Sequence, residues 1–278
     1  MADLLQSASR ESLAEAGARL DTHVDGAAGD DLGSLGDDLF AVLRLLAGEP
    51  SLRRHLADPA VPESSRSGLV QKLLDGKIGR TALDLVGKLV SSRWSRSIDL
   101  VEALETLARR ATLGVAEKDG SLYDVEDELF RFGRVLDREP ELNSLLVDPN
   151  SPADKRAALL RQVLGGKVSP VTATLLEQTV RTPRGRSLDL AAEELSELAA
   201  ARRDRYVAHV SAPVPLSPDQ EQKLTETLTR LYGRPISLQT ELDPGLLGGL
   251  LVRVGGELID GSVAGRLAVA RRTLPGQG

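Results

Sequence analysis

The sequence contains no cysteine, which excludes disulfides, thiolate metal ligands and a cysteine nucleophile and makes a reducing cytoplasmic setting the simplest expectation. Aromatic residues are scarce, at 3% of the chain, while apolar residues as a whole make up 41%. A core supplied mostly by Leu, Val and Ala suits packed helices better than an aromatic-lined ligand pocket. No apolar run approaches the roughly 18 residues that a membrane-spanning helix needs, so any membrane association is expected to pass through a partner. Residues 1–10 hold acidic and polar side chains and no apolar stretch of signal-peptide length, and read as mature protein. A basic excess is missing as well. The net charge is -6 and Lys and Arg are dispersed among acids, which argues against a nucleic-acid partner.

The chain does contain a repeat. Shifting the sequence by 90 residues lays Leu39-Phe40 on Leu129-Phe130, Glu49-Pro50 on Glu139-Pro140, Asp58-Pro59 on Asp148-Pro149 and Gly76-Lys77 on Gly166-Lys167. Arg96-Ser97 falls on Arg186-Ser187 and Asp99-Leu100 on Asp189-Leu190. From Asp37 to Leu100, 23 of 64 aligned positions are identical without a gap, far above what composition produces, so one domain has been duplicated. Apolar positions recur at helical spacing in both copies: Leu39, Val42, Leu43 and Leu46 in the first, Leu129, Phe132 and Leu136 in the second. Each copy is therefore expected to be a bundle of five or six helices. The matched Glu-Pro and Asp-Pro pairs punctuate them, because a residue before proline is pushed out of helical geometry. Ser151, Pro152 and Asp154 read as a helix start with Ser151 as its cap.

After Arg203 the pattern changes. Tyr206 to Val210 alternates like a strand, and residues 212–218 hold three prolines. Ser217, Pro218 and Gln220 form a capping box ahead of a helix with Leu224, Leu228 and Leu231 on one face. Ile236, Leu238, Thr240 and Leu242 then alternate as a half-buried strand. Residues 250–254 and 257–260 read as a strand pair around a Gly255-Gly256 turn, and a last helix is expected from about Val263. The fold class is thus mostly α with a small α/β tail: a first bundle at 1–112, a second at 113–205, and a mixed α/β domain at 206–278.

No constellation in the sequence supports catalysis. Gly76-Lys77 and Gly166-Lys167 suggest a phosphate loop, but Gln71 and Arg161 stand where that loop needs its first glycine, and Ile78 and Val168 where it needs a hydroxyl. They read as helix C-caps. The Gly248-Gly249 to Gly255-Gly256 stretch lacks dinucleotide-loop order. Asp260 and Ser262 have no histidine nearby, and His23, His55 and His209 lie in separate regions without ligand spacing. Neither a cofactor nor a metal is expected. Trp94 stands where the second copy has Arg184, and reads either as a packing anchor or as an interface residue.

One stretch of the tail is more specific. Leu247-Gly248-Gly249-Leu250-Leu251-Val252-Arg253-Val254-Gly255, followed by Ile259-Asp260-Gly261-Ser262 and Gly265-Arg266-Leu267, resembles the signature of the ATP synthase delta subunit family, which includes the mitochondrial oligomycin-sensitivity-conferring protein. Val210 to Ser217 and Asp243-Pro244 resemble the family too. The family's usual plan has one helical bundle, so the first copy departs from it. The resemblance implies a non-catalytic stator adaptor of a bacterial F-type synthase, peripheral on the cytoplasmic face of the cell membrane. Its helical domain would grip N-terminal helices of the alpha subunits and its tail the C-terminal region of the b subunits. Gly248, Gly249, Val252, Val254, Gly255, Asp260, Gly261, Ser262, Gly265 and Leu267 would be structural or stalk-binding. Gly249 is expected to need a conformation or close approach that a side chain prevents. A free-standing helical scaffold sharing the fold is the alternative.

Overall fold

Prolines and glycines set the helix boundaries in the computed structural model, which describes residues 6–204, 207–232, 236–254 and 257–262. The first repeat comprises α1 (Ser7–Gly26), α2 (Gly29–Gly48), α3 (Pro50–Ala57), α4 (Glu63–Leu74), α5 (Arg80–Ser91) and α6 (Ser97–Asp119). The second comprises α7 (Leu122–Arg138), α8 (Pro140–Val147), α9 (Ala153–Leu164), α10 (Pro170–Arg181) and α11 (Leu188–Asp204). The helix pairs α3/α8, α4/α9 and α5/α10 begin and end 90 residues apart, so the sequence repeat is a repeat of elements. Pro50, Pro140 and Pro170 each occupy a first helical position, where a missing N–H costs nothing. Gly76 and Gly166 have φ of 70° and 69° just beyond α4 and α9, the left-handed geometry of a helix end. Ser151 differs from expectation. Pro152 takes the position before α9, and Ser151 instead offers its carbonyl to the Arg156 guanidinium.

Residues Met1–Ala199 form one compact unit and Ala200–Gly278 a second. In the first unit a single apolar core runs from Ala16 to Ala199 through both repeats. The boundary between residues 112 and 113 falls inside α6, a 23-residue helix that packs on α1, α2 and α3 and also on α10. Its start is closed by Asp99, which accepts hydrogen bonds from the Arg96 backbone and from Ser9 on α1. Small residues bring α2 close: a Cβ on Gly36 would collide with the Thr112 hydroxyl.

The second unit contains β1 (Val207–Ala212), α12 (Pro218–Tyr232), β2 (Ser237–Leu242), β3 (Leu251–Val254) and β4 (Glu257–Asp260). The sheet order is β2-β1-β3-β4, with β1 and β2 parallel and the other pairs antiparallel. Ala208, Val210, Val252, Val254, Leu228 and Ile236 form its core. The capping box is present: Gln220 N–H donates to Ser217 Oγ at 3.3 Å and Ser217 N–H to Gln220 Oε1 at 2.8 Å. β2 is less buried than its alternation suggests: Thr240 and Leu242 are exposed, and among the described residues the strand lies at the edge of the sheet, paired with β1. The expected turn at 255–256 and the helix from Val263 lie outside the described residues.

Candidate functional site

The tail signature is assembled around one backbone crossing. Gly249 precedes β3 with φ of 82°, and a Cβ there would run into the Gly261 carbonyl and sit 2.8 Å from Ser262 Cα. Only glycine fits both the left-handed backbone and the contact. Gly248, at φ of 141°, shares that requirement for a positive φ. The Gly261 N–H donates to Leu250 O at 2.9 Å, tying the two segments together just past the β3/β4 ladder. Val252 and Val254 point into the core, and β3 pairs Val252 with Val210 and Val254 with Ala208. Asp260 ends β4 and accepts the Ser262 N–H at 2.9 Å. Hydrogen bonds from the Ser262 side chain and backbone hold the Asp260 carboxyl below the usual range. Ser262 itself is buried. Gly255, Gly265 and Leu267 lie outside the described residues. The signature thus brings Gly248, Gly249, Gly261 and Ser262 into one crossing, while the valines serve the sheet.

Beside this crossing an open groove of about 460 Å³ runs between α12 and the strands, lined by Val214, Leu216, Lys223, Leu224, Gly249 and Leu250 among others. Val214 is 64% exposed. The lining is mainly apolar with a single ammonium, which suits an apolar polypeptide segment and offers no acid-base pair for chemistry. Among the described residues no group of His, Cys, Asp or Glu is arranged to hold a metal ion.

The second concentration of polar chemistry joins the two repeats. Glu105 on α6, almost fully buried, receives Arg109 at 2.7 Å, Arg184 at 2.5 Å and Arg186. Arg186 and Arg109 also meet Glu194 on α11, at 3.3 and 3.5 Å. Burial pushes the Arg109 guanidinium below its usual range, against the pull of Glu105. Arg184 has a left-handed backbone, with φ of 54°. Its counterpart Trp94 turns inward and donates its indole N–H to Leu89 O at 2.7 Å, so Trp94 is a packing anchor. A single diverged position separates a residue that closes its own repeat from one that clamps the other.

Sequence reasoning missed this cluster, and also Arg66 and Arg156. Both arginines are buried and donate to carbonyls of their own repeat: Arg66 to Val61, Leu56, Val90 and Ser92, Arg156 to Val180, Asp148, Ser151 and Arg181. The available signal was their 90-residue separation.

A sequence profile of the family described as ATP synthase delta (OSCP) subunit matches residues 107–274. The ATP synthase subunit delta of Streptomyces griseus is 48% identical over 98% of this chain and 100% of its own length. That of a Parafrankia species is 45% identical over 97% of this chain and 99% of its own length. The ATP synthase subunit b-delta of a Mycobacterium species is 46% identical over 98% of this chain, which spans 61% of that longer protein.

Proposed function

The chain belongs to the ATP synthase delta (OSCP) subunit family, and from that premise we propose that it serves as the stator adaptor of a bacterial F-type synthase, tying the alpha subunits of the head to the b subunits of the peripheral stalk. Members of the family are structural, non-catalytic subunits of the synthase. The observation that carries the reading is full-length similarity to delta subunits that share the extra repeat's length. The Mycobacterium relative supports the stalk side, because as subunit b-delta it joins b and delta by name. Covalent fusion is the limiting case of two partners held together.

In this reading the helical unit binds N-terminal helices of alpha by helix-in-groove docking, and the tail binds the C-terminal region of b through the groove beside Gly249. No helix among the described residues is long and apolar enough to cross a membrane, so attachment to the cytoplasmic face of the cell membrane would run through b. The adaptor works by resisting torque, and binding free energy rather than chemistry is its output.

The test is a pull-down with residues 1–204, residues 205–278 and the full chain, against an alpha N-terminal peptide and a b C-terminal fragment. Alpha is expected on the helical fragment and b on the tail. Failure of the folded full chain to retain either would overturn the proposal.

A further inference from the structure

Three helices of the helical unit occupy one place in the repeat. α1 begins at Ser7, α6 at Ser97 and α11 one residue past Ser187, so the 90-residue step runs through all three. Glu15, Ala18, Arg19 and Thr22 of α1 stand on Glu105, Ala108, Arg109 and Thr112 of α6. Both threonines donate to the carbonyl of the alanine four residues back. α6 is therefore the counterpart of the first helix of the unit as well as of the last.

The contacts agree with both places. As a last helix, α6 lies on α2 with Thr112 against Gly36, just as α11 lies on α7 with Ala192 against Gly133. As a first helix, α6 packs on α10 just as α1 packs on α5. In each case the turn after the fifth helix folds back on the first. After α5, the Ser95 N–H donates to Ser9 on α1, and Ser12 donates to the Arg93 carbonyl. After α10, Arg184 and Arg186 reach Glu105 on α6, and Arg184 also meets Glu102, the counterpart of Ser12, at 3.4 Å. One repeated ion pair records the difference between the two helices. Glu15 and Arg19 on α1 pair at 3.0 Å with side chains 65% and 49% exposed, whereas Glu105 and Arg109 on α6 pair at 2.7 Å with both 3% exposed. The pair that is wet on α1 is dry on α6, because helices of the second bundle cover it.

We propose that α6 is a shared helix, the last of one bundle and the first of the next, and that the two bundles form one rigid, cooperatively unfolding body with no hinge between them. Tandem domains joined by a linker move relative to each other by default. Here one bundle can turn against the other only by pulling α6 out of a core that runs unbroken from Ala16 to Ala199. A load on either bundle passes to the other along a 23-residue helix packed on both sides, with no joint to yield. This coupling belongs to the chain alone, whichever partners bind it, so it stands or falls apart from the stator assignment.

Two measurements on the full chain test this. The sequence has no cysteine, so Lys72→Cys on α4 and Lys155→Cys on α9, both exposed, place one spin label on each bundle. Pulsed electron resonance should then give a single narrow distance distribution. Urea unfolding followed by hydrogen exchange, read separately on amides of α2 and α7, should give one common midpoint. Arg66→Met, whose contacts all lie in the first bundle, should lower the midpoints of α2 and α7 equally, by about 1 M. Arg156→Met, its counterpart in the second bundle, should also lower both equally. A broad or two-peaked distance distribution in the labelled chain, or a midpoint shift confined to the bundle that carries the substitution, would overturn the proposal.

Discussion

Arg66 and Arg156 show how a buried charge can be structural without an ion pair. Each guanidinium satisfies several carbonyls at the ends of its repeat's short helices, groups that burial would otherwise orphan. Leaving such acceptors unpaired costs about 1–3 kcal/mol apiece, so Arg66→Met and Arg156→Met are each expected to lower the unfolding free energy by about 3 kcal/mol. Urea denaturation measures this, and an unchanged midpoint would mean that water replaces the guanidinium. Gly249 poses the opposite problem, a place where an added atom does not fit. A β-branched residue at positive φ costs roughly 1–3 kcal/mol in backbone strain before any collision, and Gly249→Val adds a collision with Gly261. The variant should lower the melting temperature of the tail and weaken b binding together, with the helical unit unaffected. Asp189 carries a pH signature. Its folded-state pKa is depressed, so its contribution is present at neutral pH and lost as pH falls below its ordinary value of 3.8 through the lower folded one. Asp189→Asn should therefore flatten the loss of stability on acidification below about pH 5, read from denaturation midpoints across a pH series.

At the scale of elements, α6 does the work of two helices. It closes the first repeat against α1 and α2 and also packs on α10, and its buried Glu105 gathers Arg109, Arg184 and Arg186. Removing the one carboxylate leaves Arg109, Arg184 and Arg186 with only their longer contacts to Glu194 and Glu102, at 3.3 to 3.5 Å, and breaking a buried pair typically costs about 3–5 kcal/mol. Glu105→Met is expected to destabilise the helical unit by about that much, and Glu105→Met combined with Arg184→Met by clearly less than the sum of the two single changes. A double-mutant cycle gives the comparison, and strict additivity would count against a shared network. In the tail, the capping box at the start of α12 is worth about 1 kcal/mol, so Ser217→Ala should lower tail stability by that order and leave the helical unit alone.

For the whole molecule, the two compact units match the two tasks proposed for it. The helical unit presents grooves between helices, and the tail presents one groove beside its glycine crossing. A stator adaptor must hold the head still, so depleting the chain from synthase membranes should abolish ATP-driven proton pumping while the released head continues to hydrolyse ATP. An undiminished proton gradient in rigorously depleted membranes would contradict the stator role. The sharing of α6 makes a prediction at this scale too. A fragment of residues 1–119 should melt well above one of residues 1–112, because the shorter piece removes the last turns of the helix on which α1 and α2 pack.

The sequence by itself determined the duplication, the helix punctuation and the tail signature, because each is written in local chemistry: proline removes a donor, glycine permits positive φ, and apolar spacing follows the helical period. Gly249 was legible in this way, since its need for an unusual backbone is a property of glycine. Which residues meet across repeats was decided only by the tertiary structure. Arg184 and Trp94 occupy equivalent positions, yet one reaches Glu105, 79 residues away in sequence, and the other turns into its own core. Phe40 and Phe130 are the same residue in the same place in two copies, and one is buried while the other is exposed. Their fates differ because burial depends on what packs against a surface, and long-range packing leaves no mark on the local pattern of either helix.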